Sequence, residues 1–158
     1  VLTIPLILYH HISLEDMGFR SDTLRDGLPT WGVQIALILV VGFIMAFVVQ
    51  YRIQTGVGRA ISPYQYLLVS VPIQQFIYFG FLPARLREIT DTPLIFAAVI
   101  GLLFGASHVP WDNRAFVIIT TTLGLTWGFL YAHHPSIIYS FAAHFAVGIF
   151  SLTIVQLD

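Results

Sequence analysis

Every charged side chain of this 158-residue chain lies between or beside its long apolar runs, and none lies in the middle of one. The acids Glu15, Asp16, Asp22, Asp26, Glu88, Asp91, Asp112 and Asp158 and the arginines 20, 25, 52, 59, 85, 87 and 114 therefore mark loops. With 57% hydrophobic and 9% charged residues, the composition is far from that of a soluble domain of this size. A bilayer core about 30 Å thick takes about 20 helical residues to cross, and the windows 32–51, 64–84, 93–109, 115–131 and 135–157 qualify. Turn and charge signals bound them: SDTLRDGLP, RIQTGVGRAISP, PARLREITDTP, WDNR and HHPS. Lipid tolerates only helices and closed barrels, and the windows show no period-2 alternation. The expectation is an all-α fold, a polytopic transmembrane helical bundle forming one domain over residues 1–158 of an integral, multi-pass protein. The stretch VLTIPLILY at 1–9 reads as the end of a partial N-terminal span whose earlier part is missing, without the marks of a signal peptide.

Composition also excludes chemistry. The chain has no lysine and no cysteine, so it has no thiol nucleophile, Schiff-base lysine, cysteine metal site or disulfide. A net charge of −1 without a basic cluster speaks against nucleic acid and against electrostatic docking to anionic headgroups. The expected partners are other integral membrane proteins or lipids, with the chain a candidate subunit of a complex. Glycines four apart in GLLFG (101–105) and GLTWG (124–128) allow close helix approach, within one bundle or in a homodimer. Trp31, Trp111 and Tyr131 sit at window ends, as interfacial aromatics do.

Polar side chains inside the windows are few: Gln34, Gln74, Gln75, His108 and His144. In lipid such groups face a cavity or a partner. At 1.5 Å per residue, Gln74 lies about 15 Å from its side and His144 about 14 Å from the other, so both reach the midplane. His108 is offset by several ångströms. A buried cluster of Gln74, Gln75, His108 and His144 is the expected arrangement. Two histidines without a third ligand make a poor zinc site, and no metal is expected. Either histidine could instead ligate haem or a chlorophyll-type macrocycle. Ser107 and His108, adjacent on a helix, point about 100° apart and are not expected to form a dyad. Thr120, Thr121 and Thr122 are expected to bond to their own helix carbonyls or to a neighbour.

The order and spacing of these residues resemble the CAAX prenyl endopeptidase and bacteriocin-processing family of glutamate-type intramembrane proteases. That family carries EExxxR, FxxxH and HxxxN or HxxxD on successive helices. Here QQFIYF (74–79) stands where EExxxR would, FGASH (104–108) matches FxxxH, and HFAVG (144–148) stands where HxxxN would. The lead-in GFRSDTLRDGL and the approach GFLYAHHPSIIYSFAAHF also resemble the family, so the likeness runs over residues 18–150. The resemblance implies a site at Gln74, Gln75, Phe79, His108, His144 and Gly148, of which only the two histidines keep the family's residue. In the family the leading glutamate and the first histidine are thought to activate a water, while the second histidine and the asparagine stabilise the oxyanion.

The departures bear on activity. A carboxamide can hold a water but cannot take its proton, so Gln74 is not a general base. Replacing the arginine by Phe79 together with the acids avoids a buried unpaired charge. The expectation is a family member without its catalytic apparatus, not an enzyme: an accessory or scaffold subunit of a membrane complex, or a binder of a hydrophobic partner. The alternatives are an active endopeptidase using His108 and His144, and a haem- or chlorophyll-associated subunit.

Overall fold

The computed structural model describes residues 12–44 and 63–155. The expected span at 1–9 and the end of the 32–51 window lie outside them. Among the described residues there are five helices and no strand: α1, Asp22–Ile44; α2, which opens with the turn Pro63–Gln65 and continues as Tyr66–Leu86; α3, Pro93–Ala106; α4, Arg114–His133; and α5, Ile137–Val155. Asp22–Ile44, Tyr66–Leu86 and Arg114–His133 are long and apolar enough to cross a membrane, whereas Pro93–Ala106 and the apolar part of α5 are shorter. The bundle is the expected all-α one, with two boundaries corrected. α3 ends at Ala106 and not at 109, which leaves His108 in the turn beyond it. The first helix starts at Asp22, ten residues before the window at 32, and runs through Pro29. SDTLRDGLP is thus mostly helical: Asp22 adds a favourable charge at the helix N-terminus, and Pro29 is carried within the helix.

The α3–α4 hairpin is set by glycine. A Cβ on Gly101 would lie 2.7 Å from the backbone nitrogen of Leu125, and one on Gly124 would lie 2.9 Å from Cα of Gly101. Gly128 meets Ala97 in the same way, and Gly105 meets Thr121. Both GxxxG motifs therefore face each other inside the bundle, antiparallel, and backbone packs on backbone. Asn113 caps α4, its Oδ1 accepting from the N–H of Phe116 at 3.0 Å. Asn113→Ala should cost about 1 kcal/mol of stability, read as a shift of the unfolding midpoint. Thr120, Thr121 and Thr122 donate to carbonyls one turn back, as expected.

α2 runs antiparallel to α5 and contains two π-helical stretches, Tyr66–Ser70 and Phe76–Phe81. Each ends two residues before a proline, Pro72 and Pro83. Proline has no N–H to give to the carbonyl four residues back and crowds it sterically, so the helix widens there. Those carbonyls belong to Leu68 and Phe79, one in each π stretch. The glutamine pair lies in the short α-helical turn between them, Val71–Gln75.

The charged lead-in closes one end of the bundle. Ile12 and Met17 are buried against Ala84, and the carbonyl of Gly18 accepts from the N–H of Ile137 at 3.1 Å. Gly18 has φ +82°, and the Tyr131 phenol fills the place a Cβ would take, so this turn requires glycine. Ser13 donates to the Asp16 carboxylate through Oγ at 2.6 Å and N at 2.9 Å, holding that carboxyl below its ordinary pKa. Trp31 Nε1 donates to the carbonyl of His134 at 3.2 Å, and Thr23 Oγ1 to that of Pro135 at 2.8 Å. The core between the helices is largely aromatic: Trp31, Phe79, Phe96, Phe104, Trp127 and Tyr131.

Candidate functional site

Phe104, on α3, gathers the two histidines. Its ring centroid lies 4.9 Å from that of His108 and 5.5 Å from that of His144, edge-on to both, and 6.0 Å from Trp127. His108 is four residues on, just past the end of the helix, and folds back over the last turn. Helix ends leave carbonyls without backbone partners. The carbonyl of Phe104 accepts from His108 Nδ1 at 2.7 Å and from Ser107 Oγ at 2.7 Å. Because a carbonyl only accepts, the proton of neutral His108 sits on Nδ1, and Nε2 is its only basic atom.

Ser107 departs from expectation. Its Oγ lies 3.2 Å from His108 Nδ1, close enough for a hydrogen bond, because the two residues form a turn and not a further helical step. The contact makes no nucleophile. Nδ1 already carries a proton, and the hydroxyl hydrogen of Ser107 goes to Phe104.

His144, on α5, is 3% exposed and enclosed by rings: Phe104, Trp127 at 5.4 Å and Tyr66 at 6.2 Å. Its Nε2 lies 3.2 Å from the Tyr66 hydroxyl. Gln75 is 1% exposed, and its Nε2 donates to the carbonyl of Ser140 at 3.0 Å, one turn before His144 on α5. The amide thus joins α2 to α5. Gln74 turns back along its own helix, its Nε2 donating to Ser70 Oγ at 2.8 Å. The carbonyl oxygens of both amides, His144 Nδ1 and Trp127 Nε1 are buried with no hydrogen-bond partner among the described residues.

Phe79 is fully buried and tilts against Trp127 and Tyr131, with centroids 6.0 and 5.9 Å away. A cation at this position would meet aromatic packing on both sides. At Gly148 a Cβ would come within 2.6 Å of the Tyr66 ring. The structure therefore brings Gln75, Phe79, His108 and His144 into one aromatic-lined cluster, and it places Gly148 under Tyr66. Gln74 contributes to its own helix instead. Among the described residues no three metal-ligating side chains come together.

A match to the family of type II CAAX prenyl endopeptidase Rce1-like proteins covers residues 60–150, more than half of the chain. This chain belongs to that family. Searches of curated proteins and of solved structures return no match to the sequence. The matched region spans α2, α3, α4 and most of α5. As an Rce1-like protein the chain is a CAAX-protease-like membrane protein. Phe104 was legible in the sequence as the first residue of FxxxH. Tyr66, Trp127 and Ser140 were not, because nothing in PYQYLL, GLTWG or IIYSF sets them apart from ordinary packing residues.

Proposed function

We propose that this Rce1-like protein is a multi-pass membrane protein that does not cleave peptides and serves as an accessory or scaffold subunit, binding a hydrophobic partner. The observation that carries this reading is Gln75. A carboxylate at this position would have no N–H to give to Ser140, whereas the amide makes the α2–α5 bond in a site 1% exposed. Phe79 supports the same reading, since its ring completes the aromatic core where the family has a cation. An apolar groove of about 480 Å³, lined by Leu39, Phe141, Ala142, Phe145 and Ala146, lies between α1 and α5. It offers a surface of the kind such a partner would take.

Peptide cleavage at His108 would have to use Nε2 as the base, because its Nδ1 is committed to Phe104 and no carboxylate among the described residues acts on it. The decisive assay offers a lipidated or membrane-spanning peptide to the wild type, His108→Ala and Gln74→Glu. No cleavage by any of the three above a no-protein blank is expected. Turnover by the wild type that His108→Ala abolishes would overturn the proposal.

A further inference from the structure

We infer that Tyr66 is a positioning residue for His144: it occupies, from α2, the place beside the imidazole that glycine at 148 leaves open, and fixes the ring as its Nδ1–H tautomer. This goes beyond the proposed function, because it holds whether or not the chain cleaves peptides.

Residues four apart on a helix stack on the same face, so a side chain at 148 would lie next to His144. Here the Tyr66 ring fills that place, 2.6 Å from where a Cβ of residue 148 would be. Its hydroxyl then reaches His144 Nε2 at 3.2 Å, from a helix 78 residues away in sequence. The glycine and the tyrosine are two halves of one arrangement. Gly148 without the tyrosine would leave a gap, and the tyrosine without the glycine would have no room. The π-helical stretch that begins at Tyr66 is the part of α2 that carries this ring to α5.

Hydrogen-bond accounting selects the tautomer. If Nε2 carried the proton and gave it to the phenol, the phenol hydrogen would still need an acceptor, and Nδ1, buried and unpartnered, would be a stranded lone pair. If the phenol donates to Nε2, its hydrogen and the nitrogen lone pair satisfy each other, and the Nδ1–H alone is left without a partner, one orphan against two. Unused phenol lone pairs cost far less than a buried O–H without an acceptor. The second arrangement wins, so Nε2 is occupied as an acceptor and Nδ1 holds the proton. His144 then offers its surroundings a donor and no base. Trp127, whose ring is 5.4 Å away, has a second buried N–H without a partner among the described residues.

The test uses the full chain in lipid bilayers, labelled with ¹⁵N-histidine, with the His144 signals assigned by their loss in His144→Gln. The wild type should show His144 as a single neutral species, protonated at Nδ1 and bare at Nε2. Tyr66→Phe keeps the ring and removes only the hydroxyl, so it should remain folded and show a mixture of tautomers. The steric half is read separately. Gly148→Asn should lower the melting temperature, and Tyr66→Ala added to it should recover part of the loss, although Tyr66→Ala alone is destabilising. A His144 protonated at Nε2, or one whose tautomer is unchanged in Tyr66→Phe, would overturn the inference. So would additive losses in the double variant.

Discussion

Gly101→Ala and Gly124→Ala should each destabilise the protein by about 3 kcal/mol, the top of the range for overpacking a closely packed interior. The reason is the identity of the obstructing atoms. The new methyl group would meet the backbone nitrogen of Leu125 at 2.7 Å in the first case and Cα of Gly101 at 2.9 Å in the second. A side chain can change rotamer to admit a methyl group, but a helix backbone must move as a whole. Separating α3 from α4 would also loosen Phe104, which packs against Gly124 and orients both histidines. Gly32 is the control: a Cβ there meets nothing within 4 Å. Gly32→Ala should stabilise α1 by roughly 0.5–1 kcal/mol through helix propensity alone. Unfolding in mixed micelles, followed by helical circular dichroism, measures all three. If Gly101→Ala matched Gly32→Ala, the intramolecular reading of the glycine motifs would fail and a face for self-association would have to replace it.

Gln75→Glu should be the most damaging single change in the site, costing about 3–5 kcal/mol at pH 8, the range for a buried charge left without its partner. The ionised acid has no donor for the Ser140 carbonyl and would set two oxygens against it, with Phe79 one turn along in place of a cation. The protonated acid keeps one O–H to give, so the loss should be smaller at pH 5 than at pH 8. Gln75→Met removes one hydrogen bond and introduces no charge, and should cost only about 1 kcal/mol. Unfolding of both variants at the two pH values provides the comparison. Equal stability of Gln75→Glu and wild type at pH 8 would mean that the site admits water or a counter-charge, and would remove the main support for a non-catalytic role. Gln74 is less enclosed and bonds only within α2, so Gln74→Glu should be tolerated better, which suits it to the cleavage assay.

The two glutamines show how far a sequence reading reaches. Their position in an apolar window marks them as candidates, and their distance from the histidine motifs predicts one cluster, which Gln75 joins and Gln74 does not. The difference between them was not legible. Gln75 became an interhelical bond and Gln74 an intrahelical one because a turn of α2 between two prolines directs neighbouring side chains to different partners. Ser107 carries a similar lesson. Helical geometry separates it from His108, but the helix ends at Ala106, and a turn brings hydroxyl and imidazole to 3.2 Å. The start of α1 was misplaced for a related reason: a proline and three charges read as loop, yet a helix N-terminus accommodates an acid and tolerates that proline when tertiary contacts, here Trp31 on His134, hold it.

The sequence by itself determined the helical class, the apolar runs and the family, because these depend on composition and on local spacing along one helix. It also determined that positions 74, 75 and 79 carry two amides and a phenyl ring and no carboxylate or arginine. Tertiary structure alone decided which glycine faces meet, that Gln75 is bound to Ser140, and that Tyr66 stands over Gly148 with its hydroxyl on His144. Those pairings join residues 65 and 78 positions apart. They follow from the register of antiparallel helices and from the widening of α2 before its prolines, which no local pattern of apolar and polar residues encodes.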